Sequence, residues 1–208
     1  MTTKINLSLI LASMITGAGS LSAGVALPAD VAFDESVFGD LSDNLASPNS
    51  LSFQPGSNRV IGSIAAGNPD LDRDFFTFSI ATGFQLSSII LDSYESFDNV
   101  GAAQSFVAII GGTSFPSLTD SSGFLGNALI SEVGADFLDD LGSTGSLGTG
   151  TPTGFTGALP AGDYTIWHQE TVLGNNYTFD FVVEAVPEPS SALLLGLGGL
   201  GLLGRRRR

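Results

Sequence analysis

Apolar and polar residues alternate along several short stretches of the chain, whereas helical spacing is scarce. A period of two is the pattern of a β-strand with one buried face, and a short apolar run is typical of a central strand. Five stretches carry one pattern or the other: 77–80, 86–91, 106–110, 164–169 and 177–183. In the stretch 164–169, Tyr164, Ile166 and His168 fall on one strand face, and Trp167 falls on the other.

Turn-forming residues separate these stretches as clusters of Gly, Pro, Asn and Asp. They lie at 55–58, 67–70, 82–83, 111–112, 160–163 and 174–176. Many short strands with turn signals at this spacing indicate an all-β fold, specifically a β-sandwich of antiparallel strands.

One segment departs from the strand pattern. Apolar residues recur at every fourth position over 125–141, but two glycines interrupt the run. We therefore predict a short strand over 127–131 and about one helical turn over 135–141, which Gly142 would end. A loop rich in Gly, Ser and Thr follows as far as residue 157.

The N-terminus has the layout of a secretory signal peptide. Lys4 precedes a mostly apolar stretch over 5–15, and small residues follow. Cleavage after Ala23 and cleavage after Ala26 both fit this order of features. We predict that residues 1–26 are a signal peptide with an N-terminal signal helix, which is removed on export.

The C-terminus combines three features in a fixed order. A proline motif comes first: Val186, Pro187, Glu188 and Pro189. An uncharged, glycine-laced apolar run over 192–204 follows, and as a helix it would be about 20 Å long, short against the roughly 30 Å core of a bilayer. The chain ends in a stop-transfer block of four arginines: Arg205, Arg206, Arg207 and Arg208.

This arrangement over 186–208 resembles the PEP-CTERM sorting signal. The resemblance implies recognition by a membrane-embedded exosortase, export, and a short C-terminal hydrophobic helix that anchors the protein transiently in the inner membrane. The positive-inside rule keeps the arginines cytoplasmic and places everything before Pro187 outside. We therefore expect a protein of the cell surface or extracellular space. Its expected partners are the exosortase and the export machinery, and it touches the membrane through its terminal segments.

Removal of both ends makes the remaining domain more acidic. Residues 24–186 keep two of the seven basic residues, Arg59 and Arg73, against twenty of the 21 acidic ones, so the formal charge moves from −14 to −18. A basic patch for nucleic acid or anionic lipid is thereby excluded. The chain has no cysteine, so its stability has to come from packing and not from disulfides.

Two parts of the chain are similar to bacterial pre-peptidase C-terminal domains. Residues 59–64 and 72–80 read as a strand, an Asp and a Phe-x-Phe strand, like the opening of those domains. Residues 159–166 and 176–181 look like their closing hairpin. The resemblance implies a jelly-roll-like β-sandwich over 27–185 with a non-catalytic, accessory role. The middle of the chain is longer and richer in Gly and Ser than in that family.

Three aspartates, Asp70, Asp72 and Asp74, alternate just before a predicted strand, so their carboxylates share one face of an extended chain. A cation could relieve their mutual repulsion. One hypothesis is a Ca²⁺ site completed by a distant loop, for instance through Asp163. The loop is not an EF-hand, because its sixth position is Phe75 and not Gly. In the alternative, Asp70 shapes the turn after Pro69 and Asp72 faces solvent. Asp74 then either pairs with Arg73 or caps the strand. No other cofactor is expected.

No constellation in the sequence points to catalysis. His168 is the single histidine, cysteine is absent, and neither a Gly-x-Ser-x-Gly elbow nor a phosphate-binding loop occurs. We expect His168 to be a packed and hydrogen-bonded residue of the core or its rim. A hydrolase that acts on matrix polymer through two of the acidic residues is an alternative.

Sugar binding is a further hypothesis. Trp167, with Tyr94, Tyr164 and Tyr177, could form a stacking platform for an extracellular polysaccharide, and the alternative is a tryptophan packed against the sheet. We expect a non-enzymatic structural or adhesive protein of an exopolysaccharide matrix. The alternative to that role is a carbohydrate- or calcium-binding module.

Overall fold

The computed structural model describes residues 27–65, 72–97, 104–143, 149–170 and 174–187. These residues form nine strands: β1 (Val31–Asp34), β2 (Asn49–Ser50), β3 (Gly56–Ala65), β4 (Asp74–Ile80), β5 (Phe84–Ser96), β6 (Ser105–Gly111), β7 (Gly126–Ile130), β8 (Gly162–Gln169) and β9 (Gly174–Ala185). They also form two short α-helices, α1 (Glu35–Phe38) and α2 (Leu138–Gly142), and a 3-10 turn, Ser121–Gly123. Within these ranges, no helix has the length and apolar character needed to cross a membrane.

The strands assemble into two sheets. Sheet A has the strand order β1-β3-β9-β5, and sheet B has the order β2-β4-β8-β6-β7. Buried side chains from both sheets belong to one hydrophobic cluster, so the sheets pack face to face. The predicted all-β sandwich is confirmed, whereas its jelly-roll-like form stays a prediction.

One edge pair in each sheet corrects the prediction of antiparallel strands. β1 runs parallel to β3, and β2 runs parallel to β4. The other strand pairs of the described residues are antiparallel. A parallel pair needs a crossover connection, and residues 35–55 supply one between β1 and β3 by passing through sheet B on the way.

Aromatic side chains fill the space between the sheets. The ring centroid of Phe181, on β9, lies 5.0 Å from that of Phe53, 5.7 Å from that of Phe76 and 5.3 Å from that of Phe78. Rings from sheet A and sheet B therefore meet at packing distance, which is the main source of stability in a domain without disulfides.

The outer face of sheet B carries a second buried cluster. Its members are Phe75, Ala108, Ile110, Phe115, Phe124 and Trp167. The segment between β6 and β7 supplies two of these rings and covers the sheet. Because both faces of β4 are covered, every residue of that strand except Ser79 is buried. This explains why burial along β4 does not follow the alternation of its sequence.

Each stretch predicted as a strand forms one, and the strand predicted over 127–131 is β7, one residue earlier. The predicted helical turn is α2, which begins three residues later than expected and contains Gly142 as its last residue. The sequence pattern does not predict β1, α1 or β2. The predicted signal peptide, 1–26, and the predicted C-terminal helix lie outside the described residues.

Candidate functional site

Five carboxylates gather at one end of the sandwich, which we call the acidic end. They are Glu35, Asp40, Asp43, Asp72 and Asp74. Two groups of three have carboxylate oxygens within 4.8 Å of one another. The first group is Glu35, Asp40 and Asp74, and the second is Asp40, Asp43 and Asp72. Asp40 belongs to both groups, so the five side chains form one continuous cluster.

Glu35 reaches the cluster because of how α1 begins. Asp34 caps the helix by accepting a hydrogen bond from the Ser36 N–H at 2.9 Å. The parallel pairing of β1 with β3 sets the helix beside Ser63, whose N–H donates to Glu35 Oε2 at 2.7 Å. The Leu41 N–H donates to Glu35 Oε1 at 3.0 Å. The Ser63 hydroxyl also donates to Oε2 at 3.2 Å, so the carboxylate has a fixed position and Oε1 keeps a lone pair.

Asp74 is the buried member of the cluster. It is the first residue of β4 and is 0% exposed. The Tyr177 hydroxyl donates to Asp74 Oδ2 at 2.6 Å, whereas Oδ1 is buried and has no hydrogen-bond partner. Gly62 leaves room for this tyrosine, because a Cβ at position 62 would lie 2.6 Å from the Tyr177 hydroxyl oxygen. Glycine at this position thus places the donor that holds Asp74.

Hydrogen bonds from the backbone hold Asp72 and Asp43 at the same end of the sandwich. Asp72 Oδ2 accepts the Ala65 N–H at the end of β3, and its Oδ1 is buried without a partner. Asp43 Oδ1 accepts the Arg73 N–H at 2.8 Å. The cluster therefore ties residues 39–43 to the start of β4.

Burial and mutual repulsion both disfavour charge in the cluster. Desolvation raises the pKa of Glu35, Asp40, Asp72 and Asp74, and it raises the pKa of Asp74 the most strongly. Neighbouring carboxylates add to the effect, since Glu35 further raises the pKa of Asp74. A group of this kind is neutralised either by protons or by a cation.

The structure changes the set of residues predicted for a metal. Asp70 lies outside the described residues, and Asp72 and Asp74 fall in different groups of three. Asp163 is at the opposite end of the β4–β8 ladder, where its Oδ1 accepts the Ser79 hydroxyl at 2.6 Å. Asp163 is therefore not part of the cluster.

Sequence reasoning missed the three acids that come from the N-terminal segment, Glu35, Asp40 and Asp43. The Asp34 cap followed by an acidic residue is a helix-start signal that could have placed α1. The parallel pairing that brings α1 to β3 has no comparable sequence signal.

His168 lies behind the acidic end, inside the core. Its ring centroid is 4.3 Å from that of Tyr177 and 5.0 Å from that of Phe179. The imidazole is fully buried, neither ring nitrogen has a hydrogen-bond partner, and burial lowers its pKa to about 3. The prediction that His168 is packed in the core is confirmed, whereas the prediction that it is hydrogen-bonded is wrong.

The aromatic residues predicted to bind sugar do not share a surface. Trp167 is only 4% exposed. It lies beneath the rings of the outer cluster and beside the ring of Phe106, whose centroid is 4.7 Å from that of the indole. Tyr164 and Tyr177 belong to the inner core instead. The face of the indole is covered by protein, so it is not open to a sugar ring.

A shallow groove of about 280 Å³ lies beside Glu35 on sheet A. Hydroxyl and amide side chains predominate among its polar lining: Ser36, Ser63, Ser93, Asn176 and Thr178. Some of them bond to one another, as Ser93 Oγ does to Thr178 Oγ1 at 2.9 Å. Glu35 belongs to both the groove and the acidic cluster, and Tyr177, which donates to Asp74, also lines the groove.

The opposite end of the sandwich, which we call the tether end, lies where β9 finishes. The Val186 N–H donates to the Gly83 carbonyl at 2.8 Å, and Val186 is 43% exposed. Pro187 follows directly, so no linker separates the folded domain from the proline motif. Glu188, Pro189 and the terminal arginines lie outside the described residues.

Comparison with known proteins identifies this C-terminal part of the chain. Residues 185–208 match the PEP-CTERM protein-sorting motif. No curated protein and no solved structure gives a significant match to the chain. The motif indicates an exported protein that an exosortase processes and that its C-terminal segment anchors transiently. The resemblance of the folded part to pre-peptidase C-terminal domains stays a prediction.

Proposed function

We propose that the folded domain is a non-catalytic structural or adhesive component of an extracellular polysaccharide matrix, delivered there by the exosortase. The observation that carries this proposal is the position of the sorting motif, which begins where β9 ends. β9 lies between β3 and β5 in sheet A, so the motif is attached to an inner strand and not to an edge.

Tension on the C-terminus would act along this inner strand. β9 pairs antiparallel with β3 from Gly56 to Ala65 and with β5 from Phe84 to Ser96. Sliding β9 out of the sheet therefore requires both ladders to break together, and a domain held in this way suits a scaffold that experiences pulling.

The same geometry orients the domain while it is anchored. Tyr177 stands at the acidic end and Ala185 at the tether end, about 27 Å apart along β9 at roughly 3.4 Å per residue. The acidic end thus lies at the end of the domain opposite to the attachment point of the sorting motif.

A non-enzymatic role is part of the proposal. Its support is that His168 is enclosed in the core, where it cannot reach a substrate. A jelly-roll-like accessory domain of the pre-peptidase C-terminal type fits the same role. Hydrolysis of matrix polymer by a carboxylate pair is the alternative that activity assays must exclude.

The test is a deletion in an exosortase-carrying bacterium that makes the protein. We expect the deletion to weaken cohesion of the matrix and the full chain to restore it. A chain with Pro187→Ala, Glu188→Ala and Pro189→Ala should stay in the inner membrane and fail to restore cohesion. Unchanged cohesion after deletion, or cleavage of matrix polysaccharide by the purified protein, would overturn the proposal.

Carbohydrate binding is a second candidate, favoured by the polar groove beside Glu35. Its size suits about one sugar ring, near the lower limit of ligand sites. Retention of the exported protein on the producer's polysaccharide should fall in a Ser93→Ala, Asn176→Ala double variant. A Ser87→Ala control lies on β5 outside the groove and should bind normally. Equal retention of all three proteins would reject the groove as the sugar site.

A further inference from the structure

We propose that the acidic end binds one Ca²⁺ ion through the carboxylates of Glu35, Asp40 and Asp74. This set differs from the aspartate triplet predicted from sequence, since two of its three members come from the N-terminal segment. The inference does not depend on the structural role proposed above.

The spacing of the oxygens fits calcium. Two oxygens bound to one Ca²⁺ at about 2.4 Å can lie at most about 4.8 Å apart. The carboxylate oxygens of the three residues lie within 4.8 Å of one another. Glu35 Oε1 accepts one hydrogen bond and Asp74 Oδ1 accepts none, so both groups keep lone pairs free for an ion.

The unpartnered oxygen of Asp74 is independent evidence for a ligand. Asp74 is 0% exposed, and its Oδ1 has no hydrogen-bond partner. Buried polar atoms in folded proteins are almost always satisfied, and an exception indicates a missing ion or water or a functional role. Glu35 and Asp40 place further negative charge beside this side chain, so a cation satisfies the oxygen better than an uncharged donor can.

The donor set selects calcium among common metals. Carboxylate oxygens suit Ca²⁺ and Mg²⁺, whereas Zn²⁺ and Cu²⁺ prefer nitrogen and sulfur ligands. The chain has no cysteine, and its single histidine is enclosed in the core. Mg²⁺ requires shorter bonds and near-octahedral geometry and usually keeps several waters beside one or two carboxylates, so a set of three carboxylates suits Ca²⁺ better.

The ion would add a link between parts of the fold whose carboxylates repel one another at the acidic end. Glu35 belongs to α1 beside sheet A, and Asp74 belongs to β4 of sheet B. Asp40 lies between them on the segment that crosses from one sheet to the other. A bound Ca²⁺ would therefore fasten the N-terminal segment across the acidic end, with Asp43 and Asp72 adding negative charge nearby.

The test uses the exported protein, stripped with a chelator and titrated with CaCl₂ by calorimetry. We expect a dissociation constant on the order of 0.1–1 mM, as in extracellular calcium modules, and a higher Tm with calcium. Asp40→Asn should weaken binding by about tenfold or more, because it removes one charged ligand at an exposed position. The control Asp163→Asn makes the same change at the other end of the β4–β8 ladder and should bind as the unaltered protein does.

Terbium luminescence gives a second readout that does not require a buried substitution. Tb³⁺ replaces Ca²⁺ on oxygen ligands, and the ring of Tyr177, bonded to Asp74, should sensitise its emission. Calcium should displace the signal, and Asp40→Asn should reduce it. Absence of calcium binding at millimolar concentration, or equal affinity in Asp40→Asn and Asp163→Asn, would overturn the site. Matrix cohesion tests only the structural role, whereas calorimetry and luminescence test only the calcium site. If Asp40→Asn loses calcium binding but keeps matrix cohesion, both proposals stand.

Discussion

The two ends of the sandwich satisfy their buried groups in different ways. At the tether end, β9 finishes beside the apolar side chain of Leu86, and the Val186 N–H that follows the strand is bonded to the Gly83 carbonyl. At the acidic end, Asp74, His168 and Asn175 each bury at least one polar atom without a partner. Among the described residues, none of the buried unpartnered atoms belongs to the tether end.

This difference separates stability from responsiveness. Apolar burial contributes about the same free energy at any pH or calcium concentration, whereas incompletely paired polar groups depend strongly on protons and ions. The tether end should therefore hold the domain on its sorting motif under all conditions. The acidic end should change its stability with the surroundings, and the four predictions below test that contrast.

The largest effect should come from the hydrophobic core near the tether end. Phe78 is 2% exposed and packs on Phe53, Tyr164 and Phe181. Phe78→Ala should lower the free energy of unfolding by about 3–5 kcal/mol, the usual loss for a buried phenylalanine. Urea unfolding of the exported protein and of its Phe78→Ala variant measures this loss. The loss should be equal with calcium and with chelator, and a calcium-dependent loss would contradict the separation of the two ends.

The strands of this core were predictable from sequence for a physical reason. Alternating or continuous apolar runs such as 177–183 report directly on burial, because each strand face meets a fixed environment. The helical turn of α2 was predictable in kind but not in position. Its boundaries depend on packing, as at Gly126, where a Cβ would lie 1.5 Å from the Leu141 carbonyl oxygen.

The candidate site was predictable only in part. The aspartates before β4 are visible as a sequence cluster, and Asp74 does prove to be the buried member. Glu35 and Asp40 lie more than thirty positions earlier in the chain and reach Asp74 through the parallel pairing of β1 with β3. Nothing local in the sequence encodes that long-range pairing. The strand face on which Trp167 lies was predictable from the alternation. That the rings of Phe115 and Phe124 cover this face was not predictable.

The second prediction concerns acid sensitivity at the acidic end. Burial lowers the pKa of His168 to about 3, below its ordinary value of 6.5. Between these values the unfolded state holds more protons, so His168 makes stability fall as the pH falls, by up to about 1.4 kcal/mol per pH unit. His168→Leu should remove this slope while keeping a similar volume.

Urea unfolding of both proteins between pH 7 and pH 5, with chelator present, isolates the contribution of the histidine. The carboxylates of the cluster, whose pKa values are raised, act in the opposite direction but are common to both proteins. The difference in unfolding free energy should therefore grow in favour of the leucine variant as the pH falls. Parallel pH curves would show that His168 titrates normally in the folded protein.

The third prediction makes one chemical change at each end. Tyr177→Phe removes the donor to Asp74 Oδ2 and should cost about 1–3 kcal/mol in the presence of chelator, because it leaves a buried acceptor unpaired. Tyr164→Phe removes a hydroxyl that donates to the Pro160 carbonyl at 2.8 Å near the tether end. It should cost about 1 kcal/mol. Calcium should reduce the first loss and leave the second unchanged, and equal calcium responses would remove the distinction between the ends.

The smallest effect should come from the ion pairs midway between the two ends. The Arg59 guanidinium lies 3.1 Å from Asp30 and 3.1 Å from Asp92, and all three side chains are about 36–47% exposed. Water and salt screen pairs of this exposure, so Arg59→Gln should lower stability by less than about 1 kcal/mol, and the loss should shrink as NaCl is added. Arg59→Lys keeps the charge without the forked donor, so its stability should lie between that of the unaltered protein and that of Arg59→Gln. A loss above about 2 kcal/mol that persists in high salt would mean that charge pairing, and not the apolar core, holds β1 and β5 to the sheet.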